Sequence, residues 1–303
     1  MLGTRHCRSK GVMTKDLARR RTQLSLPADR RSHASLSALR KLLRATYSSE
    51  AALEVYLKAR KLLRGRGEFI FVACMPKSGS TFLTKNLSQL TGFEHTRLTY
   101  KFERNEQELY LPKLVDNYSR QIVTQQHIKA TGPNLRLFQR FEIRPVILVR
   151  NIYDVVLSIR DYLLKDAVYG FPSLYATEHF RTMEEEEQHD FLIEFAVPWY
   201  FNFYASWFDA TNDGRAQTMW LTYEELVADW AAGIRSVLDF YGLPYSEEDI
   251  RLNLEAIQRR RKETRLNKGV IGRGQTGLTD AQRERIAAMA RFYPWVDFSR
   301  MGL

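Results

Sequence analysis

Cysteine is almost absent from the 303 residues: the chain has Cys7 and Cys74 and no other. Two cysteines make neither a disulfide framework nor a thiolate metal cluster, and they fit a reducing cytoplasm. Long apolar runs are missing too. No stretch approaches the roughly 18 to 20 residues that a membrane span needs, so none is expected. An apolar core of signal-peptide length is also lacking, which argues against secretion. Acid is scarce in one region only. Residues 1–44 carry twelve Lys or Arg against Asp16 and Asp29, so this segment accounts for +10 of the net +11. The other 259 residues are nearly neutral, which excludes a basic nucleic-acid-binding domain. Segment 1–44, rich in Arg and Ser, reads as a disordered tail. A solvated tail, an organelle-targeting segment and an arm drawn to anionic membrane or polymer all fit its composition.

With 44% hydrophobic residues, the remainder can bury the core of a single domain over 45–303. A leading helix at 48–64 begins it, with Ser48 or Ser49 as cap and Leu53, Val55, Tyr56, Leu62 and Leu63 as docking positions. Apolar runs at Phe69–Cys74 and Val146–Val149 read as buried strands, and Gln121–Lys129 and Gln217–Thr222 as further strands. Helical patterns fall between them over 106–118, 132–141 and 151–164. After an irregular 166–190, whose acidic Glu184–Glu187 run reads as a solvated face, one long aromatic helix is expected over 191–210. Helices from Ser246 and Thr279 close the chain. Strands alternating with helices predict an α/β class, three-layered, with a mostly parallel sheet.

The first strand runs into Pro76-Lys-Ser-Gly-Ser-Thr-Phe82 and then an amphipathic helix. Such a loop cradles an anion. Orphan N–H groups of the first helical turn point into it, and Gly79 allows close backbone approach. The hydroxyls of Ser78, Ser80 and Thr81 can donate, and Lys77 adds a charge. A nucleoside triphosphatase loop needs its Lys directly after the second Gly, whereas Lys77 precedes Gly79 by two residues. The second apolar strand should then end in an acid that holds Mg²⁺, but it ends in Arg150. Both departures point to an anionic ligand without a chelated metal. Arg150 stands at the carboxyl end of a central strand, where open α/β sheets bind ligands. Ser158, eight residues on, reaches the same ligand only if the strand-to-helix turn folds back. An Arg150 paired with Asp154 or Asp161 is the competing structural reading. A metal-dependent kinase or nucleotide hydrolase, and a non-catalytic phosphate- or sulfate-binding module, remain alternatives at this point.

Together these stretches resemble the sulfotransferase superfamily, which uses 3′-phosphoadenosine 5′-phosphosulfate (PAPS). Pro76–Phe82 is similar to its 5′-phosphosulfate loop, and Arg150 through Ser158 to its 3′-phosphate motif. Tyr223-Glu-Glu-Leu resembles the stretch whose Tyr lies by the adenine, and Lys268-Gly269-Val-Ile-Gly272 the loop that closes over the 3′-phosphate. The resemblance runs from about residue 68 to 303. It implies a P-loop-like sulfotransferase fold, PAPS as donor and no metal. Lys77, Ser78, Gly79, Ser80, Thr81, Phe82, Arg150, Ser158, Tyr223, Lys268 and Gly269 would hold the donor. His127 matches the family's strand-end general base, Lys77 would stabilise the leaving group, and Ser158 would restrain Lys77 until the acceptor arrives. Phe82 replaces a Trp, Gln125 a Lys, and Asn267 an Arg whose contact would pass to Arg265 or Arg273. The acceptor is expected to be a small molecule or a glycan, walled by residues 94–120 and 166–210; a homodimer is an allowed assembly.

Overall fold

The computed structural model describes residues 49–100, 107–165, 174–259 and 270–303. The basic tail, Lys268 and Gly269 lie outside them, as do Arg265 and Asn267. The chain divides into two units at Leu63 and Arg64; of the first, residues 49–63 are described. Helix α1 (Glu50–Arg64) starts from Ser49, whose Oγ accepts from the Ala52 N–H at 3.3 Å. Leu53 and Tyr56 are buried, but Val55, Leu62 and Leu63 are exposed.

The second unit is built on five parallel strands: β1 (Phe69–Cys74), β2 (Glu94–His95), β3 (Ile122–Gln126), β4 (Pro145–Val149) and β5 (Met219–Thr222). Their spatial order is β2-β3-β1-β4-β5. β1 and β4 are fully buried, which is why their sequences are unbroken apolar runs rather than alternating ones. Phe69 pairs with Ile122 on one side of β1, and Phe71 with Pro145 on the other. The chain builds β2 and β3 on one side of β1 and then crosses to β4. The carboxyl ends of β1, β3 and β4 therefore share one edge, at a topological switch point. Among the described residues no helix is long and apolar enough to cross a membrane.

Connecting helices follow in order: α2 (Ser80–Thr91), α3 (Leu111–Asn117), α4 (Gly132–Arg140), α5 (Ile152–Lys165), α6 (Glu185–Phe195), α7 (Val197–Asn212), α8 (Tyr223–Ala228), α9 (Trp230–Tyr241), α10 (Glu247–Arg259), α11 (Arg273–Gly277) and α12 (Asp280–Ala288). Two sequence expectations fail here for clear reasons. The acidic run is exposed to solvent as expected, but it does not lie in an irregular stretch: it opens α6, with Glu184 and Glu187 forming a reciprocal cap. Carboxylates there offset the positive end of the helix dipole. The single aromatic helix is two helices, because Pro198 at the start of α7 has no N–H to extend α6. α3 is also shorter than the 106–118 pattern suggested, beginning only at Leu111.

α9 locks the start of the central strands through one side chain. The buried Tyr241 hydroxyl accepts from the Phe71 N–H at 3.0 Å and donates to the Arg144 carbonyl at 2.6 Å. Tyr241→Phe leaves both backbone groups short of a partner, so unfolding in urea should show a loss of about 1–3 kcal/mol without a change of fold.

Candidate active site

The loop between β1 and α2 takes its shape from two left-handed residues. Lys77 has φ +69° and Gly79 φ +81°. A positive φ at a non-glycine residue is uncommon and has to be held by its surroundings. Several contacts do so. The Met75 N–H donates to the Leu148 carbonyl (3.0 Å). Ser78 Oγ donates to the Met75 carbonyl (2.6 Å), and the Tyr200 hydroxyl of α7 donates to the Pro76 carbonyl (3.3 Å). The Ser78 hydroxyl proton is thus engaged within the loop. Gly79 starts α2, its carbonyl accepting from Phe82 and Leu83. The first turn of α2 carries Ser80, Thr81 and Phe82. A Cβ on Gly79 would lie 2.9 Å from the Tyr223 ring, so only glycine fits between loop and ring.

Arg150 leaves β4 directly beneath this loop. Its Nη1 donates to the Lys77 carbonyl at 2.9 Å, and its guanidinium carbon lies 4.1 Å from the centre of the Tyr223 ring. Asp154 is 3.9 Å away, beyond hydrogen-bond length. The Asp154 carboxylate is occupied elsewhere, accepting from the backbone N–H of Gly272 (2.8 Å) and Gly274 (2.7 Å). Arg150 is 6% exposed, yet its Nε has no hydrogen-bond partner. A buried charged donor in that condition is costly unless a ligand completes it.

Asp154, Ser158 and Tyr162 recur at four-residue spacing along α5, one stripe of the helix. Lys77 Nζ sits 4.6 Å from the centre of the Tyr162 ring, one turn beyond the buried Ser158. Further along the same side, Asp161 receives the Arg273 guanidinium at 2.8 Å. α11 docks closely there: a Cβ on Gly274 would fall 2.4 Å from Tyr153. Arg273, one of two arginines offered for a 3′-phosphate, is therefore in an ion pair with Asp161.

His127 follows β3 and leans toward the end of β1. Its Nδ1 is 2.9 Å from the Cys74 carbonyl, an acceptor only, so Nδ1 carries the proton and Nε2 keeps its lone pair. Burial pushes the imidazole down to about 4, against a smaller opposing effect of that carbonyl. The ring is neutral at neutral pH. Cys74 Sγ lies 3.5 Å from Nδ1, but burial raises this thiol to about 12 and keeps it protonated. Gln125, at the position where a Lys was expected from the resemblance, ties β3 to α2. Its amide donates to Thr81 Oγ1 (3.1 Å) and accepts from Thr84 Oγ1 (3.0 Å). A Thr81 hydroxyl that accepts from Gln125 retains its own proton for a ligand oxygen.

The structure thus gathers Lys77, Ser78, Gly79, Arg150 and Tyr223 around one loop, with Ser158 on the facing helix and His127 at the neighbouring strand end. Three contributors had escaped sequence reasoning. Tyr200 was one aromatic among many in an expected core helix. Gln107 accepts from the His127 N–H at 2.8 Å and belongs to no motif. Trp230 packs edge-to-face on Phe82, 4.3 Å between ring centres, and lies 3.8 Å from a Cβ built on Gly79. Phe82 itself is 5% exposed and part of the core, so it is the half-buried Trp230 that joins Tyr223 at the border of the loop.

Residues 68–289 match a family model described as "Sulfotransferase domain". No curated protein matches the chain. Among solved structures, mouse sulfotransferase SULT7A1 complexed with PAP is 15% identical, with a TM-score of 0.58 over 81% of this chain and 90% of that one. Retinol dehydratase in complex with retinol and PAP is 16% identical, with a TM-score of 0.48 over 78% and 85%. A sulfotransferase from Alicyclobacillus acidocaldarius is 16% identical, with a TM-score of 0.41 over 78% and 99%. The likeness to the mouse enzyme is one of fold.

Gly79→Ala combines a left-handed Cβ with a clash against Tyr223. It should cost about 1–2 kcal/mol of stability for the backbone alone and displace Tyr223 from Arg150. Thermal unfolding reads the first effect; the second appears as weaker anion binding in calorimetry.

Proposed function

The chain belongs to the sulfotransferase domain family, and on that basis we propose that it transfers a sulfuryl group from PAPS to an acceptor hydroxyl, with His127 as general base. One observation carries the donor assignment: the buried Arg150 guanidinium, fixed by Lys77 and Tyr223, with an unpartnered Nε beside a loop of helix-starting N–H groups. An anion at that spot supplies the missing acceptor, and a 3′-phosphate has the charge and the oxygens to do so. Ser158, on the α5 stripe that faces Lys77, is assigned to the same phosphate. The first turn of α2, with Ser80 and Thr81, binds the 5′-phosphate oxygens through N–H and hydroxyl groups. Tyr223 and Trp230 border the adenine. Lys268 and Gly269 are assigned to the lid over the 3′-phosphate on the strength of the family resemblance.

PAPS supplies a sulfuryl group on a phosphate leaving group. The protein's part is to place charge and to move one proton. Lys77 brings a full positive charge to the loop, where charge builds on the leaving oxygen, and Tyr162 and Ser158 restrain its side chain. His127 Nε2 takes the proton of the acceptor hydroxyl, because Nδ1–H is committed to the Cys74 carbonyl. Gln125 orients the Thr81 hydroxyl toward the transferring group. The cytoplasm is the proposed compartment.

Three measurements test these roles. Arg150→Ala should weaken binding of 3′-phosphoadenosine 5′-phosphate (PAP) by about a hundredfold in calorimetry, as for removal of a buried charged partner; an unchanged Kd removes Arg150 from the donor site. His127→Ala should lower kcat by about 10²–10⁴-fold and leave PAP affinity intact, and a fully active variant would exclude it as base. The low His127 pKa also fixes a sign. Because the base works unprotonated, activity persists as pH falls through 6.5 and is lost only near pH 4 to 5. An acid limb of kcat/KM at 6.5 contradicts the assignment.

A further inference from the structure

Two segments, 96–100 and 107–110, build the wall beside His127. The Thr96 N–H donates to the Val123 carbonyl (3.1 Å), so the chain leaves β2 still alongside β3. The next residues are pinned to Gln126, the immediate neighbour of His127. With its amide oxygen toward the loop, Gln126 accepts from the N–H of Leu98 (2.7 Å) and of Thr99 (3.3 Å). The Leu98 carbonyl accepts from the Tyr110 N–H (2.8 Å), and Gln107 accepts from the His127 N–H. Residues 97, 100 and 110 therefore belong to segments tied to the strand end that carries the proposed base.

Their chemistry is specific. Tyr100 and Tyr110 form an edge-to-face pair, 5.2 Å between ring centres, and are 47% and 37% exposed. Two aromatic rings kept in solvent offer a platform for a ring. Arg97 is exposed and, among the described residues, forms no ion pair. Glu94, the nearest acid before it in the chain, is taken by Arg120. A second cation adjoins: Lys113 Nζ donates to the Arg97 carbonyl at 3.1 Å. Burial is what chiefly lowers the imidazoles of His127 and His95, and the charge of Arg97 adds to it in the same direction. Positive charge that, among the described residues, forms no ion pair, set beside a base and an aromatic pair, suits a negatively charged ligand.

We infer that the acceptor carries an anionic group next to the ring that bears its reacting hydroxyl, with Arg97 as the specificity-determining contact and Tyr100 and Tyr110 against the ring. This inference rests on His127 lying at the acceptor side of the proposed reaction. The shared chemistry has two sources, an aromatic acid or an acidic sugar, and the neutral members of each class are disfavoured.

Matched acceptor pairs test it on the full-length protein with PAPS. One pair is 4-hydroxyphenylacetate and its methyl ester; the other is a uronate-containing tetrasaccharide and its carboxyl-reduced form. In one pair kcat/KM should favour the charged member by about tenfold, the effect of one hydrogen bond to a charged group. Whichever pair shows it identifies the source. Arg97→Glu should abolish that preference, Arg97→Lys should keep part of it, and PAP affinity should be the same in all three proteins. Equal use of both members overturns the inference. So does a preference that survives Arg97→Glu, or failure of the PAP-loaded protein to bind or use either anionic acceptor. Failure of the donor assignment shows separately, as absence of PAP binding to the wild-type protein.

Discussion

A guanidinium buried at the carboxyl end of a central strand has to be held and has to be answered. Arg150 is held from two sides, by the Lys77 carbonyl and by the Tyr223 ring, and each contact determines something further. The hydrogen bond from Arg150 holds the backbone of Lys77, a residue that itself adopts a left-handed conformation. The ring packs so closely on the loop that glycine alone fits at position 79. α8, β4 and the β1–α2 loop are thereby fixed to one another through a single charged side chain. Asp154, 3.9 Å from Nη2, offsets part of that charge, but its oxygens accept their hydrogen bonds from Gly272 and Gly274. The Arg150 Nε is left for a ligand, and the segment carrying those glycines is anchored over α5.

The same edge of the sheet sets the geometry of the proposed proton transfer. β1 and β3 are neighbours in register, so the carbonyl that ends β1 meets the imidazole that follows β3. That contact fixes the tautomer, and burial keeps the ring neutral. A buried thiol beside it contributes no competing nucleophile. Gln125, two residues before His127, ties the strand to the hydroxyls of α2, where a cation would otherwise be expected from the resemblance. In the proposed function, Lys77 and Arg150 supply the charge at the donor and Arg97 the charge at the acceptor.

Much of this was legible in the sequence wherever chemistry is local. Unbroken apolar runs marked β1 and β4 because both faces are buried, and Pro76–Phe82 marked the turn from strand to helix through residue type and order. Arg150 was placed by the strand it follows. Contacts across long separations were not legible. Asp154 meets Gly272 over 118 residues, and Tyr200 reaches Pro76 over 124; neither pairing leaves a local pattern. Trp230 borders the loop in place of Phe82 only because α9 packs on α2. The acidic run before α6 is solvated as its composition suggests, but composition does not distinguish a helix start from an irregular stretch. The break at Pro198 was masked by aromatic residues that continue through it.

The account stands or falls on whether this edge of the sheet selects a nucleotide with a 3′-phosphate and needs no divalent metal to do so. Thermal unfolding with excess EDTA, in the presence of PAP or adenosine 5′-phosphate, compared with ATP in the presence of Mg²⁺, tests that claim most directly. A ligand at about 100 times its Kd stabilises the folded state by about 2.7 kcal/mol, a shift of several degrees for a chain of this size. PAP should give that shift in EDTA, with adenosine 5′-phosphate well behind it and ATP with Mg²⁺ giving little. Equal shifts for all three, or a shift with ATP and Mg²⁺ alone, would contradict the assignment.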